Sequence, residues 1–230
     1  MGQKTIQPAL LSGRVKVPPS KSMAHRAIIC AALAEGRSIV ENVAFSDDIL
    51  ATMEGMRRLG ARIEDLGGGT LAVDGIGQGQ AICGLPEIDC KESGSTLRFL
   101  IPVALGLARG ARFTGQGNLG KRPLDVYTKI FDEQGIETQA QGPLLDLQVS
   151  GQLRAGTFSM RGDVSSQFIT GLLFILPLMA EDSELVITTH MESKSYVDMT
   201  LSVLADFGIR VKNEAYRRFA IPGGQKYRAG

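Results

Sequence analysis

The stretch SKSMAHRAIICAALAEGRSIV, residues 20–40, decides the fold of this chain, because its order of features recurs twice further along. A serine-rich turn is followed by a helical segment that is apolar on nearly every side, and then by a short β-like run. A helix without a polar face is typical of a protein interior. The first turns of this helix nevertheless contain Lys21, His25 and Arg26. Because a helix start carries partial positive charge, cations there need a separate explanation.

Three segments of the chain share this order of features: residues 20–75, 91–151 and 163–224. Each contains a serine-rich turn, an apolar helix, a β-like run, an amphipathic helix that ends at a glycine, and two further strands. The glycines, which lie 75 and 73 residues apart, are Gly60, Gly135 and Gly208. The spacing predicts three copies of one structural unit.

Local signals predict where the elements of each unit begin. Ser46 is expected to cap the amphipathic helix of the first unit, and Pro123 suits the first helical position in the second unit. The buried face of the amphipathic helix in the first unit is predicted to contain Ile49, Leu50, Met53, Met56 and Leu59. The apolar helices are predicted at 27–34, 97–108 and 168–180, and a strand before each unit at 14–17, 88–90 and 157–160.

These features predict an α/β (α+β) fold built from three β-α-β-α-β-β repeats. We expect the three apolar helices to be buried together, surrounded by the sheets and the amphipathic helices, with pseudo-threefold symmetry. The repeats are predicted at about 14–75, 88–151 and 156–224, within one lobe of residues 14–224.

Pseudo-threefold symmetry would bring the polar helix starts of all three units to one end of the fold. Free backbone N–H groups at helix starts bind anions, and lysine and arginine add full charges. An anionic ligand at this end would explain the cations of the first stretch. The residues expected there are Ser20, Lys21, Ser22, Arg26, Ser93, Gly94, Ser95, Thr96, Arg98, Lys121, Arg122, Ser165, Ser166, Gln167, Ser193, Lys194, Ser195 and Tyr196.

Each of these residues also has a simpler interpretation when it is taken alone. A serine at a helix start is an ordinary N-cap, and a single arginine can lie along the surface with its charge in water. His25 is expected to be a solvated helix residue. The recurrence of hydroxyls and cations at matched places in three units favours a binding site.

Composition excludes several classes of function. The 25 basic and 24 acidic residues nearly cancel, which argues against a general nucleic-acid or membrane-surface binder. Cys30, Cys83 and Cys90 show no metal or redox spacing, and His25 and His190 lie far apart, so no metal site is expected. The N-terminus lacks the apolar core of a signal peptide, and the longest apolar stretch is too short to cross a bilayer. We expect a cytoplasmic monomer.

Five motifs carry a family resemblance: PSKSMAHRA, ESGSTLRF, KRPLD, SSQF and SKSYVD, in this order. The chain resembles the 5-enolpyruvylshikimate-3-phosphate synthase family from about residue 5 to its C-terminus. The resemblance implies one lobe, the N-terminal one, of a two-lobed fold. Residues 1–13 would then form a strand segment that pairs with the second lobe, and residues 225–230 would begin the crossover to it.

The resemblance also implies a reaction and its residues. The enolpyruvyl group of phosphoenolpyruvate moves to the 5-hydroxyl of shikimate 3-phosphate, without a cofactor or a metal, and a single lobe is expected to be inactive alone. The implied ligands of shikimate 3-phosphate are Lys21, Ser22, Arg26, Ser165, Ser166, Gln167, Ser193 and Tyr196. The implied ligands of phosphoenolpyruvate are Lys21, Gly94 and Arg122, with Lys21 catalytic and with Ser95, Arg98 and Lys194 as possible support.

Two residues depart from the pattern of many relatives. Glu92 and Phe99 stand where that pattern has Asn and Pro, which alters the surroundings of the phosphoenolpyruvate pocket and the expected binding of the inhibitor glyphosate. Gly94, which in the family leaves room for that inhibitor, is present. Three alternatives stay open: a UDP-N-acetylglucosamine enolpyruvyl transferase, a stand-alone anion-binding module or split-enzyme subunit, and an RNA 3′-phosphate cyclase.

Overall fold

A computed structural model of the protein describes residues 4–5, 10, 12–77, 82 and 84–230. The described residues form six α-helices, eleven strands and two 3-10 turns. The helices are α1 (Lys21–Leu33), α2 (Asp47–Arg58), α3 (Gly94–Ala108), α4 (Asp125–Gln134), α5 (Ser166–Ile175) and α6 (Lys194–Asp206). The strands are β1 (Arg37–Val40), β2 (Arg62–Gly67), β3 (Thr70–Asp74), β4 (Glu87–Asp89), β5 (Gly110–Thr114), β6 (Glu137–Ala140), β7 (Asp146–Ser150), β8 (Thr157–Met160), β9 (Ser183–Ile187), β10 (Lys212–Glu214) and β11 (Arg218–Ile221).

The three apolar helices, α1, α3 and α5, form the centre of the core as predicted. Each begins after a serine N-cap in extended conformation, whose hydroxyl accepts a hydrogen bond from a backbone N–H of the first turn. The caps are Ser20, Ser93 and Ser165. The third helix is shorter than predicted. It ends at Ile175 and continues as a 3-10 turn, Leu176–Leu178, because Pro177 cannot donate a helical hydrogen bond.

The amphipathic helices α2, α4 and α6 end at the predicted glycines, which all adopt positive φ angles. Ser46 caps α2 as expected, since its hydroxyl accepts from the backbone N–H of Ile49. Two details of the prediction are wrong. Leu50 is 47% exposed, because it lies about 100° around the helix from Ile49 and faces solvent. Helix α4 begins at Asp125, so Pro123 precedes its N-cap.

Each unit contributes one small sheet, with the strand orders β1-β3-β2, β4-β5-β7-β6 and β8-β9-β11-β10. The strands predicted before the second and third units are present as β4 and β8, which run parallel to β5 and β9. The strand predicted at 14–17 is wrong. The end of the chain lies beside β1 instead, where the Ile39 N–H donates to the Gly230 carbonyl at 2.9 Å and Glu35 forms a parallel bridge with Arg228.

The two terminal segments differ in how much the structure describes of them. The strand segment predicted at 1–13 lies mostly outside the described residues and stays a prediction. At the other end, Tyr227 is buried and its hydroxyl donates to the Phe174 carbonyl at 2.7 Å. The assignment of 225–230 as a crossover also stays a prediction. In the part of the chain that the structure covers, no helix combines the length and the hydropathy that membrane crossing requires.

A buried polar side chain lies eight residues before each helix-ending glycine. These three bridging residues are Thr52, Tyr127 and Thr200. Each contacts the apolar helix of its own unit and the apolar helix of the next unit. In the first unit, Thr52 Oγ1 lies 2.7 Å from His25 Nδ1 in α1 and 2.7 Å from Thr96 Oγ1 in α3.

The second bridging residue is an aromatic one. The Tyr127 hydroxyl shares its single proton between the carbonyl of Arg98 in α3, at 2.7 Å, and that of Phe168 in α5, at 3.1 Å. Gly171 allows this approach, because a Cβ there would collide with the Tyr127 hydroxyl and the Arg98 carbonyl. The bridge therefore depends on a glycine in the facing helix.

The third bridging residue closes the ring of units. Thr200 Oγ1 lies 3.0 Å from Thr170 Oγ1 in α5 and accepts a hydrogen bond from Arg26 Nε in α1 at 2.8 Å. The last unit is thereby tied to the first, as pseudo-threefold symmetry requires. The bridges hold the starts of the apolar helices in a fixed mutual arrangement.

Replacing Tyr127 tests the contribution of one bridge. Tyr127→Phe keeps a ring that packs against Phe131 and Phe168 but removes a buried donor, so the free energy of unfolding should fall by about 1–2 kcal/mol in urea denaturation. Tyr216→Phe is the matched control, because the Tyr216 hydroxyl donates to Asp198 at the surface, and its effect should stay within about 0.5 kcal/mol. Equal effects of the two substitutions would contradict the role of the bridge.

Candidate functional site

A polar cavity of about 310 Å³ lies where the starts of α1, α3, α5 and α6 meet. Its wall combines residues of all three units, which is the convergence that the sequence predicts. Eight of the thirteen residues that the resemblance assigns to the site line it: Ser22, Arg26, Ser95, Ser165, Ser166, Gln167, Ser193 and Tyr196. Phe99 and Val164 complete the wall.

Arg26 is the most constrained cation of this cavity. Its side chain is 2% exposed, and its Nη1 and Nη2 atoms donate to the carbonyls of Ser22 and Tyr196 at 2.8 and 3.1 Å. The guanidinium lies over the ring of Phe99, 5.3 Å from its centroid. Burial lowers the pKa of Arg26 to about 10, so the group remains charged at neutral pH although it is removed from water.

The charge of Arg26 has no carboxylate partner among the described residues. Its contacts within the protein are a hydroxyl, two carbonyls and an aromatic face, and they occupy three of the five guanidinium N–H groups. A buried cation with unused donors is unfavourable unless an anion completes it. The cavity is therefore suited to an anionic ligand.

The serines of the wall differ in whether the protein uses their hydroxyls. Ser165 accepts from the Gln167 N–H at 3.3 Å, so it caps α5. Ser193 precedes α6 with a positive φ of 54° and makes no side-chain cap hydrogen bond. A non-glycine residue in this conformation is strained, and such strain concentrates at functional sites. The Ser193 hydroxyl is therefore not used to cap α6.

A second basic cluster adjoins the cavity through Gln167. The Gln167 amide accepts from Arg98 Nη1 at 2.7 Å and donates to Ser95 at 2.9 Å. Burial, followed by repulsion from Arg122, lowers the pKa of Arg98. A Cβ on Gly94 would lie 2.6 Å from Arg122 Nη1 and 3.2 Å from Arg98 Nη1. The absent side chain at Gly94 thus leaves room beside two arginines.

Two predicted lysines lie outside the cavity wall. Lys21 is exposed, and its ammonium pairs with Asp48 at 2.6 Å, at the start of α2. Lys194 lies 5.1 Å from the ring centroid of Tyr216, in a different groove. Nothing in the sequence signalled the pairing of Lys21 with Asp48, since the two residues are 27 positions apart.

A larger groove, of about 1090 Å³, lies beside the C-terminal segment. It is lined by residues from the end of α6 onward and by Glu35, with Arg210, Lys226 and Arg228 among them. It contains none of the predicted site residues and joins no helix starts. Its volume alone does not make it the functional site.

Comparison with known proteins identifies the family. A sequence profile of EPSP synthase (3-phosphoshikimate 1-carboxyvinyltransferase) matches residues 6–230. The chain belongs to the EPSP synthase family. The 3-phosphoshikimate 1-carboxyvinyltransferases of Clostridium beijerinckii and Clostridioides difficile are 54% and 50% identical to it, over 100% of this chain and 54% of each relative. The chain therefore spans about half the length of the curated relatives it matches.

A solved structure of EPSP synthase from Acinetobacter baumannii shares the fold. It superposes with a TM-score of 0.78 at 25% sequence identity, over 94% of this chain and 48% of that chain. The fold class predicted from the repeats, one lobe of three units, is confirmed by this likeness together with the family match.

The residues that depart from the EPSP synthase pattern have clear places in the structure. Phe99 packs its ring between Arg26 and Phe174, so it supports the guanidinium that lines the cavity. Glu92 is exposed and lies against Gly117, whose positive φ and lack of a Cβ accommodate the carboxylate. Only Phe99 of this pair reaches the cavity.

The expectation for His25 is wrong, because its side chain is only 1% exposed. The hydrogen bond to Thr52 and an edge-to-face contact with Phe99 hold the ring in the core, at 6.2 Å between centroids. Burial, which outweighs the attraction of Asp48, lowers the pKa of His25 to about 4. The ring is therefore neutral at physiological pH.

The buried histidine predicts how stability depends on pH. In the unfolded chain His25 binds a proton near pH 6.5, whereas in the folded chain it does so only near pH 4. As the pH is lowered from 6.5 to 4, the free energy of unfolding should therefore fall by up to about 3 kcal/mol. His25→Gln removes this contribution, so urea denaturation from pH 7 to pH 4 should show a shallower decline than in the unsubstituted chain. Identical declines would contradict the burial of a neutral ring.

Proposed function

We propose that this chain forms the shikimate 3-phosphate-binding lobe of a 3-phosphoshikimate 1-carboxyvinyltransferase. The complete reaction transfers the enolpyruvyl group of phosphoenolpyruvate to the 5-hydroxyl of shikimate 3-phosphate and releases phosphate, on the route to chorismate and the aromatic amino acids. The observation that carries the proposal is the convergence of hydroxyls from three units around Arg26, a buried cation without a carboxylate partner among the described residues.

The cavity supplies the groups that a phosphorylated polyol acid requires. Ser165, Ser166 and Gln167 would bind the phosphate and the ring hydroxyls at the start of α5. Arg26 offers two unused N–H groups to an oxyanion, in the planar arrangement that suits phosphate and carboxylate. The remaining ligands of shikimate 3-phosphate would be Lys21, Ser22, Ser193 and Tyr196.

Phosphoenolpyruvate would occupy the adjoining basic cluster. Arg122 and Lys21 would bind its phosphate or carboxylate, and Gly94 would leave it room. Ser95 and Arg98 would act as support through Gln167, which links the two clusters. Lys194 is left out of this assignment, because its ammonium lies over Tyr216 in another groove.

The charges also suit the chemistry. The 5-hydroxyl oxygen adds to the enol carbon of phosphoenolpyruvate while the methylene carbon takes a proton. Loss of phosphate and of a proton then restores the double bond. Both reactants are anions that repel each other, so a preorganised basic pocket lowers the barrier by holding them in reacting geometry. Lys21 would transfer a proton or stabilise developing charge beside Asp48.

The partner in this proposal is the part of the relatives that the chain does not span. The matched relatives are about twice as long, and the resemblance implies a second lobe that closes over the substrates. Acid–base residues and further cationic ligands are expected from that lobe. Closure would exclude water from the two anions and strengthen their interactions with the arginines.

Binding of shikimate 3-phosphate tests the substrate assignment. Isothermal titration calorimetry should show binding to the unsubstituted chain, and Arg26→Gln should weaken it by about tenfold or more, because a charge-assisted hydrogen bond is lost. Lys194→Gln is the matched control, which removes a cation outside the cavity and should leave affinity unchanged. UDP-N-acetylglucosamine should not compete. Binding unaffected by Arg26→Gln, or competition by the nucleotide sugar, would contradict the proposal.

A second prediction concerns turnover. The 230-residue chain should release no phosphate from phosphoenolpyruvate and shikimate 3-phosphate, because the acid–base residues expected from the second lobe would be absent. A coupled phosphate-release assay measures this, with a full-length relative as the positive control. Multiple turnovers by the chain alone would show that one lobe suffices.

A further inference from the structure

We propose that Thr200 is a positioning residue, which sets the orientation of the Arg26 guanidinium in the cavity. The inference rests on the proposed function, because it assigns Arg26 to the anionic substrate. Thr200 does not line the cavity itself. It is fully buried in α6 and acts on the ligand only through Arg26 and the start of its own helix.

The hydroxyl of Thr200 has its complete set of hydrogen-bond partners. It accepts from Arg26 Nε at 2.8 Å, lies 3.0 Å from the hydroxyl of Thr170, and donates to the Tyr196 carbonyl at 2.9 Å. A hydroxyl offers one donor and two acceptor sites, so a donated bond from Thr170 completes it. A single rotamer of Thr200 therefore forms hydrogen bonds with groups of three helices, α1, α5 and α6.

Arg26, the Thr200 hydroxyl and the Tyr196 carbonyl form a closed triangle of hydrogen bonds. Arg26 Nη2 donates to the Tyr196 carbonyl at 3.1 Å, the same oxygen that accepts from Thr200. With Nε held by Thr200 and Nη1 held by the Ser22 carbonyl, the plane of the guanidinium has no free rotation about its long side chain. The unused N–H groups are thereby fixed in direction before a ligand arrives.

Loss of the Thr200 hydroxyl would act on Arg26 in a specific way. Valine has the same shape but offers no acceptor, so the buried Nε–H would lose its partner. The guanidinium would then reorient to satisfy that donor, and the N–H groups presented to the ligand would change direction. An anion bound by Arg26 would be held less tightly, although the cation itself is still present.

The bridging residue of the first unit provides a matched control. Thr52 occupies the equivalent position, is equally buried, and makes two hydrogen bonds at 2.7 Å. Its partners, His25 and Thr96, do not line the cavity. Thr52→Val should therefore destabilise the fold to a similar extent as Thr200→Val without reorienting Arg26.

The experiment compares Thr200→Val, Thr200→Ser and Thr52→Val in the 230-residue chain. Calorimetric titration with shikimate 3-phosphate should show a Kd raised by about tenfold in Thr200→Val, as expected for one hydrogen bond to a charged group. Thr200→Ser retains the hydroxyl and should stay within about threefold, which is rescue by the conservative variant. A Kd for Thr200→Val within about twofold of the unsubstituted chain would overturn the inference.

A ligand-free measurement separates this inference from the proposed function. In protein labelled with ¹⁵N-arginine, hydrogen exchange of the Arg26 Nε–H should be slow in the unsubstituted chain and in Thr52→Val, and at least tenfold faster in Thr200→Val. If the unsubstituted chain does not bind shikimate 3-phosphate, the proposed function fails and the exchange rate still decides the positioning role. Unchanged exchange in Thr200→Val overturns that role. Thr200→Ala replaces Thr200→Val if the latter does not fold.

Discussion

Three buried side chains, Thr52, Tyr127 and Thr200, hold this structure together as one body rather than three units. Each belongs to an amphipathic helix and forms hydrogen bonds with the apolar helices of two successive units. Apolar packing alone is nondirectional and tolerates sliding between helices. A buried polar group without its partner is costly, so these bonds select one arrangement. The repeated position, eight residues before a helix-ending glycine, makes the arrangement pseudo-threefold.

The candidate site is a consequence of that arrangement. Fixing the apolar helices relative to one another also fixes their N-termini, which is where serines and arginines of different units meet. Arg26 belongs both to the bridges and to the cavity wall. Its Nε donates to the bridging residue Thr200, and its Nη1 donates to the carbonyl of Ser22 at the cavity. Burial of the Arg26 charge lowers the free energy of unfolding, and the same charge would bind an anion. Stability and affinity are therefore coupled at one side chain.

The sequence predicts the repeats, the helix-ending glycines and the convergence of the helix starts, because these follow from periodicity and local capping. It does not predict contacts between distant residues. The burial of His25 depends on Thr52, and the ion pair of Lys21 depends on Asp48. The strand expected at residues 14–17 does not form, and residues at the other end of the chain lie beside β1. Single polar residues such as Thr200 carry no local signal of their role, which only the packed helices define.

The central claim is that residues of three units form one site for shikimate 3-phosphate. A crystal structure of the 230-residue chain with shikimate 3-phosphate tests it most directly. The account predicts that the ligand lies in the cavity at the starts of α1, α5 and α6, with its oxyanions within hydrogen-bond distance of Arg26 and of the serines that precede and begin α5. A ligand found instead in the groove beside the C-terminal segment, near Arg210 and Arg228, would contradict it.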